Sequence, residues 1–148
     1  MKKILIAVLL AVSMCGCSLA KTVVDSVTES VNVDEILKAQ EITINSAASS
    51  AAETITDAQQ IGDFITALEM DSWRIASLPE NAERSGEFSF AQNETIKLGQ
   101  DESDVQLEDV CKIYTYKDLP YITFEIAGIG VDFEIPQSAA DYLSSYIN

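Results

Sequence analysis

Histidine is absent from this 148-residue chain, and no other absence removes more chemistry. Without imidazole there is no Ser-His-Asp or Cys-His catalysis, no His-ligated zinc and no proton shuttle poised near neutral pH. Cysteine is scarce, with 3 in all, at Cys15, Cys17 and Cys111. Cys111 sits among Val110, Ile113 and Tyr114, the setting of a small buried hydrophobe. Lys112 alone is thin electropositive support for a reactive thiolate. Cations are few: 9 Lys and Arg stand against 24 Asp and Glu, for a formal net charge of −15. A surface this negative repels phosphate backbones and anionic lipid, which excludes nucleic acid as a partner. No glycine-rich phosphate loop, Walker pattern or nucleophile elbow occurs. Long apolar runs are missing too. The run from Ile4 to Met14 falls well short of the ~20 residues a bilayer-spanning helix needs.

What is present begins at the first residue. Lys2 and Lys3 precede that apolar run, and Met14-Cys15-Gly16-Cys17 closes it. Charge, greasy run and small residue in that order make a secretory signal peptide. With Cys17 directly after Gly16, the segment resembles the signal peptide of a bacterial lipoprotein. The resemblance implies cleavage before Cys17, a diacylglyceryl thioether on its sulfur and often a further chain on the new amino group. Two or more chains anchor stably where one is marginal. The expected organisation is a signal peptide over 1–16, a lipidated Cys17 with a tether over 17–40, and one domain over 41–148. The protein is then held at the cell membrane through its lipid, facing outside the cytoplasm. Ser18, in place of Asp after the cysteine, departs from the inner-membrane retention pattern of two-membrane cells. Loss of Lys2 and Lys3 with the leader leaves the mature chain more negative still.

Along the tether, Val23, Val24, Val27 and Val31 recur at helical spacing, but β-branching weakens an isolated helix. Fully extended at ~3.3 Å per residue, this stretch would reach about 75 Å. Glu41 to Asn45 alternates as a short strand, Ser46 to Ala52 is a connector of small residues, and Glu53 to Thr56 is extended. Ile61, Phe64, Ile65 and Leu68 form one apolar stripe, which predicts a helix ending near Met70. Thr56 with Gln59 has the spacing of a capping box, and Asp57 favours the same N-terminus. Trp73 to Ala76 reads as a strand and Leu78 to Ser85 as loop.

From Gly86 the period becomes two. Phe88 and Phe90 alternate with polar neighbours, Asn93 marks a turn, and Ile96 and Leu98 share a face beyond it. Asp101 to Asp109 is an acidic loop, and Cys111 to Tyr116 is a strand, followed by turn chemistry at Lys117-Asp118. Tyr121 to Ile135 is a hairpin around Ala127-Gly128. A two-residue turn pairs Ile126 with Ile129 and Phe124 with Val131; a four-residue loop pairs Phe124 with Phe133. Both registers keep the apolar residues together and leave Thr123, Glu125, Asp132 and Glu134 on the wet face. After Pro136, Ser138 and Asp141 have capping-box spacing, and Tyr142, Leu143, Tyr146 and Ile147 form the apolar face of a last helix. The fold expected is α+β: a twisted antiparallel sheet of about five to seven strands with two helices packed on one face. This order, strand, helix, meander, helix, resembles that of small uncharacterised lipoproteins of Gram-positive bacteria, as a pattern without a diagnostic motif.

Candidate functional residues are few. Tyr114, Tyr116, Glu125 and Glu134 flank one sheet face and suit a protein or cell-envelope component. Asp101, Asp104, Glu108 and Asp109 are weak candidates for a cation, since the loop breaks the EF-hand spacing and carries no turn glycine. The paired acids Glu125, Asp132 and Glu134 admit carboxylate-based hydrolysis only loosely. The reading that follows is a lipid-anchored, extracytoplasmic, non-catalytic binding module with no cofactor. A cation-binding or inhibitor lipoprotein acting through residues 101–109, and a carboxylate hydrolase, are the alternatives.

Overall fold

Residues 36–93 and 106–147 are described by the computed structural model. The leader, Cys17, the tether up to residue 35, and Ile96, Leu98, Asp101 and Asp104 lie outside the described residues. In chain order the elements are β1 (Glu41–Ser46), β2 (Glu53–Ile55), α1 (Ala58–Ala67), β3 (Arg74–Ile75), β4 (Arg84–Asn93), β5 (Leu107–Tyr116), β6 (Leu119–Ile126), β7 (Ile129–Glu134) and α2 (Gln137–Ser144). The architecture is α+β: among the described residues, one antiparallel seven-stranded sheet, in spatial order β2-β1-β4-β5-β6-β7-β3, with two helices.

The period-two pattern fixes the faces. Ile44, Phe88, Ile113, Phe124 and Val131 stand in one row across five strands, and Ile42, Phe90 and Cys111 form the next. The helices cover this side. Phe64 of α1 lies 5.5 Å from the Phe88 ring and 5.9 Å from Phe90. Tyr142 and Tyr146, on and just beyond α2, meet Phe64 at 5.5 and 5.6 Å. Edge-to-face and tilted rings at such spacings add to the area they bury. Trp73 closes the other end of the layer against Phe133 and Phe124, and its indole N–H donates to the Leu68 carbonyl at 2.7 Å. That bond satisfies one of the orphan carbonyls at the end of α1.

Turn chemistry selects one of the two hairpin registers. Ala127 (φ 51°) and Gly128 (φ 80°) both take positive φ, as a two-residue type I′ turn requires. Ile126 therefore pairs with Ile129, Phe124 with Val131 and Ile122 with Phe133.

Several local expectations shift. Asp57, not Thr56, caps α1: its carboxylate accepts from the Gln59 and Gln60 amides at 3.1 and 2.9 Å. A carboxylate held at a helix N-terminus also interacts favourably with the helix dipole, which a threonine does not. Pro136 occupies the N-cap of α2 without a side-chain bond, and the Ser138 hydroxyl donates instead to Glu69, at 2.6 Å. The acidic stretch does not stay a loop to Asp109. Leu107, Glu108 and Asp109 pair with Asn93, Gln92 and Ala91, because β4 runs on far enough to offer them a ladder. Residues 84 and 85 join β4 through a register shift rather than staying in the preceding loop. Ile36 and Ala39, placed in the tether by composition, are buried, and Gln40 donates to the Ala91 carbonyl at 2.8 Å.

Candidate partner surface

The sheet face opposite the helices is built by the alternate residues of β4 to β7. Tyr114 stands between Glu87 and Thr123, Lys112 between Ser89 and Glu125, and Glu134 between Tyr121 and Arg74. This alternation brings the four proposed contact residues, Tyr114, Tyr116, Glu125 and Glu134, onto one face.

They do not have equal access to solvent. Tyr114 is 8% and Tyr116 7% exposed, whereas Glu125 is half-buried and Glu134 exposed. The tyrosines form a floor. The Tyr116 hydroxyl donates to Thr123 Oγ1 at 2.6 Å, and Thr123 donates its own proton to Asp132 Oδ1 at 2.5 Å. The carboxylate can only accept, so it sets the direction of the whole chain. Over Tyr114, the Arg84 guanidinium stacks 3.9 Å from the ring centre. A cation over a tyrosine face is attracted by the ring quadrupole, and the flat guanidinium also covers the ring from water.

Beside this floor, Lys112 Nζ reaches Glu87 Oε1 at 3.2 Å and Asp109 Oδ2 at 3.8 Å. The Ser89 hydroxyl donates to the same Glu87 oxygen at 3.1 Å. The hydrogen bond it donates to Glu87 is the main reason the Lys112 ammonium is held above its ordinary pKa. On the opposite side of the same strand, burial, with Asp109 as the lesser cause, pushes the Cys111 thiol up to about 12. At neutral pH it is therefore a thiol, not a thiolate, consistent with a packing role.

Of the acidic residues weighed for a cation, Glu108 and Asp109 lie in β5, Asp109 facing Lys112. Among the described residues, no group of three or more Cys, Asp or Glu gathers closely enough to hold a metal ion. Glu134 lines a cavity of about 260 Å³ with Ser72, Arg74, Ile135 and Pro136. Another hollow, of about 310 Å³, opens at the far end of the sheet between Ser46, Ser49, Ala51 and Tyr146.

Sequence reasoning placed Thr123 and Asp132 on this face but not the chain that joins them to Tyr116. It passed over Arg84 and Glu87. Arg84 reaches Tyr114 only through a β-bulge between Arg84 and Gly86, and a bulge of that kind leaves no periodic trace. No family model matches the chain, and no match emerges among curated proteins or solved structures.

Proposed function

We propose that this protein is a lipid-anchored, extracytoplasmic, non-catalytic module that binds a protein or cell-envelope component. The anchor reading is supported by the Lys2 to Cys17 pattern, with the lipid on Cys17 and the domain outside the cytoplasm. The binding role rests on one observation: the sheet face opposite the helices has a hydrogen-bonded floor and an acidic rim. Tyr116, Thr123 and Asp132 lock that floor, while Glu125 and Glu134 stand at its accessible edge. A floor whose rotamers are fixed loses little entropy when a partner docks on it. The rim charge favours a partner of positive potential and works against nucleic acid.

The test is capture from intact native cells by chemical cross-linking, followed by mass spectrometry. Full-length protein should yield one dominant partner. Glu125→Gln with Glu134→Gln should weaken that capture with little change in melting temperature, because neither acid is buried and the neutral amides set no like charge against the cross-strand Lys112 and Arg74. A blank with the protein present and lipidated, or unchanged capture by the double variant, rejects this surface.

A further inference from the structure

One charged group on the polar sheet face has hydrogen-bonding capacity left over. Arg84 reaches the tyrosine floor through the bulge between Arg84 and Gly86, a device that re-aims a side chain. Its guanidinium sits 3.9 Å from the centre of the Tyr114 ring, and Tyr114 is itself buried. That contact uses the flat face of the group. The five N–H donors of a guanidinium lie in its plane and stay open at its edge. Arg84 is exposed, and among the described residues no carboxylate or hydroxyl accepts from these donors.

The acids beside it are turned to other donors. Glu87, directly across from Tyr114, accepts from Lys112 and Ser89. Asp132 accepts from Thr123, and Thr123 from Tyr116. An arginine with open donors is conspicuous in a chain where 24 acids face 9 cations. The rim acids lie farther off. Tyr114 pairs with Thr123 on β6, and Thr123 with Asp132 on β7; Glu125 and Glu134 are each two residues beyond those partners. At ~4.8 Å between strands and ~3.4 Å per residue, Glu125 lies about 8 Å and Glu134 about 12 Å from Tyr114.

We propose that the partner is a protein that seats a carboxylate on the edge of Arg84 and sets Lys or Arg side chains about 8–12 Å away, over Glu125 and Glu134. A guanidinium takes a carboxylate through two parallel N–H bonds, which a lysine ammonium cannot reproduce. Held against the Tyr114 ring, Arg84 has less rotamer freedom to lose when the carboxylate arrives. Over the rest of a chain at −15 a partner carboxylate meets repulsion, so the one that Arg84 accepts fixes the register of docking. Arginine on tyrosine, with satisfied polar groups around it, also has the composition of an interface hot spot. This inference rests on the partner-binding reading and adds the charge pattern that the partner presents.

The probe is the peptide acetyl-Glu-Gly-Gly-Lys-amide, whose two charges span that distance when extended. It is titrated into full-length, isotopically labelled protein in neutral detergent micelles, against a twin with Gln in place of Glu. The Arg84 side-chain Nε–H resonance should move saturably with the Glu peptide and stay in place with the Gln twin. Arg84→Lys keeps the charge and loses the planar fork. It should weaken the Glu peptide at least tenfold, read in both proteins from the Tyr114 amide resonance, with little change in melting temperature because position 84 is exposed. Arg84→Gln should abolish the response. The inference fails if both peptides act alike, if neither moves Arg84, or if Arg84→Lys binds as tightly as the parent. Capture of the cellular partner at full yield by Arg84→Gln would overturn this anchor and leave the partner-binding module standing. No captured partner for the parent protein would remove the module itself.

Discussion

The two faces of the sheet both contain residues less than a tenth exposed, yet different forces bury them. On the helix-covered face the burial is carbon against carbon: Phe64 touches Phe88, Phe90, Tyr142 and Tyr146, and Ile44, Ile113 and Phe124 run beneath. On the opposite face Tyr114, Tyr116, Thr123 and Ser89 are buried too, though less completely, and hydrogen bonds and a stacked guanidinium secure them. The first arrangement is non-directional and tolerates any residue of suitable shape. The second is directional, since each donor needs its acceptor. Both groups are buried; the kind of contact, more than the depth of burial, tells the two faces apart.

The sharpest way to break the comparison is Phe64→Ala. It empties the centre of the aromatic cluster and should cost about 3–5 kcal/mol, read from urea unfolding followed by tryptophan fluorescence. A cost no greater than that of an outer-face change would place the stability elsewhere. Next comes Gly86→Ala. A Cβ there would lie 2.6 Å from Ile147 Cγ2 and 3.2 Å from the Asn45 carbonyl. Overpacking should cost about 1–3 kcal/mol, and Ile147→Ala in the same chain should recover part of it in a double-mutant cycle.

On the polar face the expected effects are smaller. Tyr116→Phe keeps the ring and removes only the donor to Thr123, for a loss of about 1 kcal/mol in thermal unfolding. Smaller still is Lys112→Met, under about 1 kcal/mol for a half-exposed pair, and shrinking as salt is added. Its pH dependence has a definite sign. The folded pKa of Lys112 is raised above the ordinary 10.5, so its contribution is complete below that pH and is lost as pH rises through the folded value. Parent and variant should therefore converge in stability under alkaline conditions, and a gap that widened there would contradict the assignment.

Period and turn chemistry made most of the architecture legible. Phe88, Phe90, Ile122, Phe124, Val131 and Phe133 alternate clearly enough to fix the sheet's inner side, and Ile61, Phe64, Ile65 and Leu68 mark α1. The Ala127-Gly128 pair left two registers open, and only the positive φ of both residues chose between them. What stayed hidden depends on distance along the chain. The burial of Tyr116 needs Thr123 and Asp132 from two other strands, and Arg84 needs a bulge to reach Tyr114. Composition likewise assigned Glu108 and Asp109 to a loop, because strand pairing with Gln92 and Ala91 overrides the weak strand preference of acids.

One measurement compares the two faces as binding surfaces directly. A photo-cross-linking residue is placed at position 125, on the rim of the polar face, or at the exposed position 63 on α1. Both are illuminated in intact native cells. The account predicts a discrete cross-linked species from position 125 and none from position 63. A product from the helix position, with the sheet position silent, would contradict it.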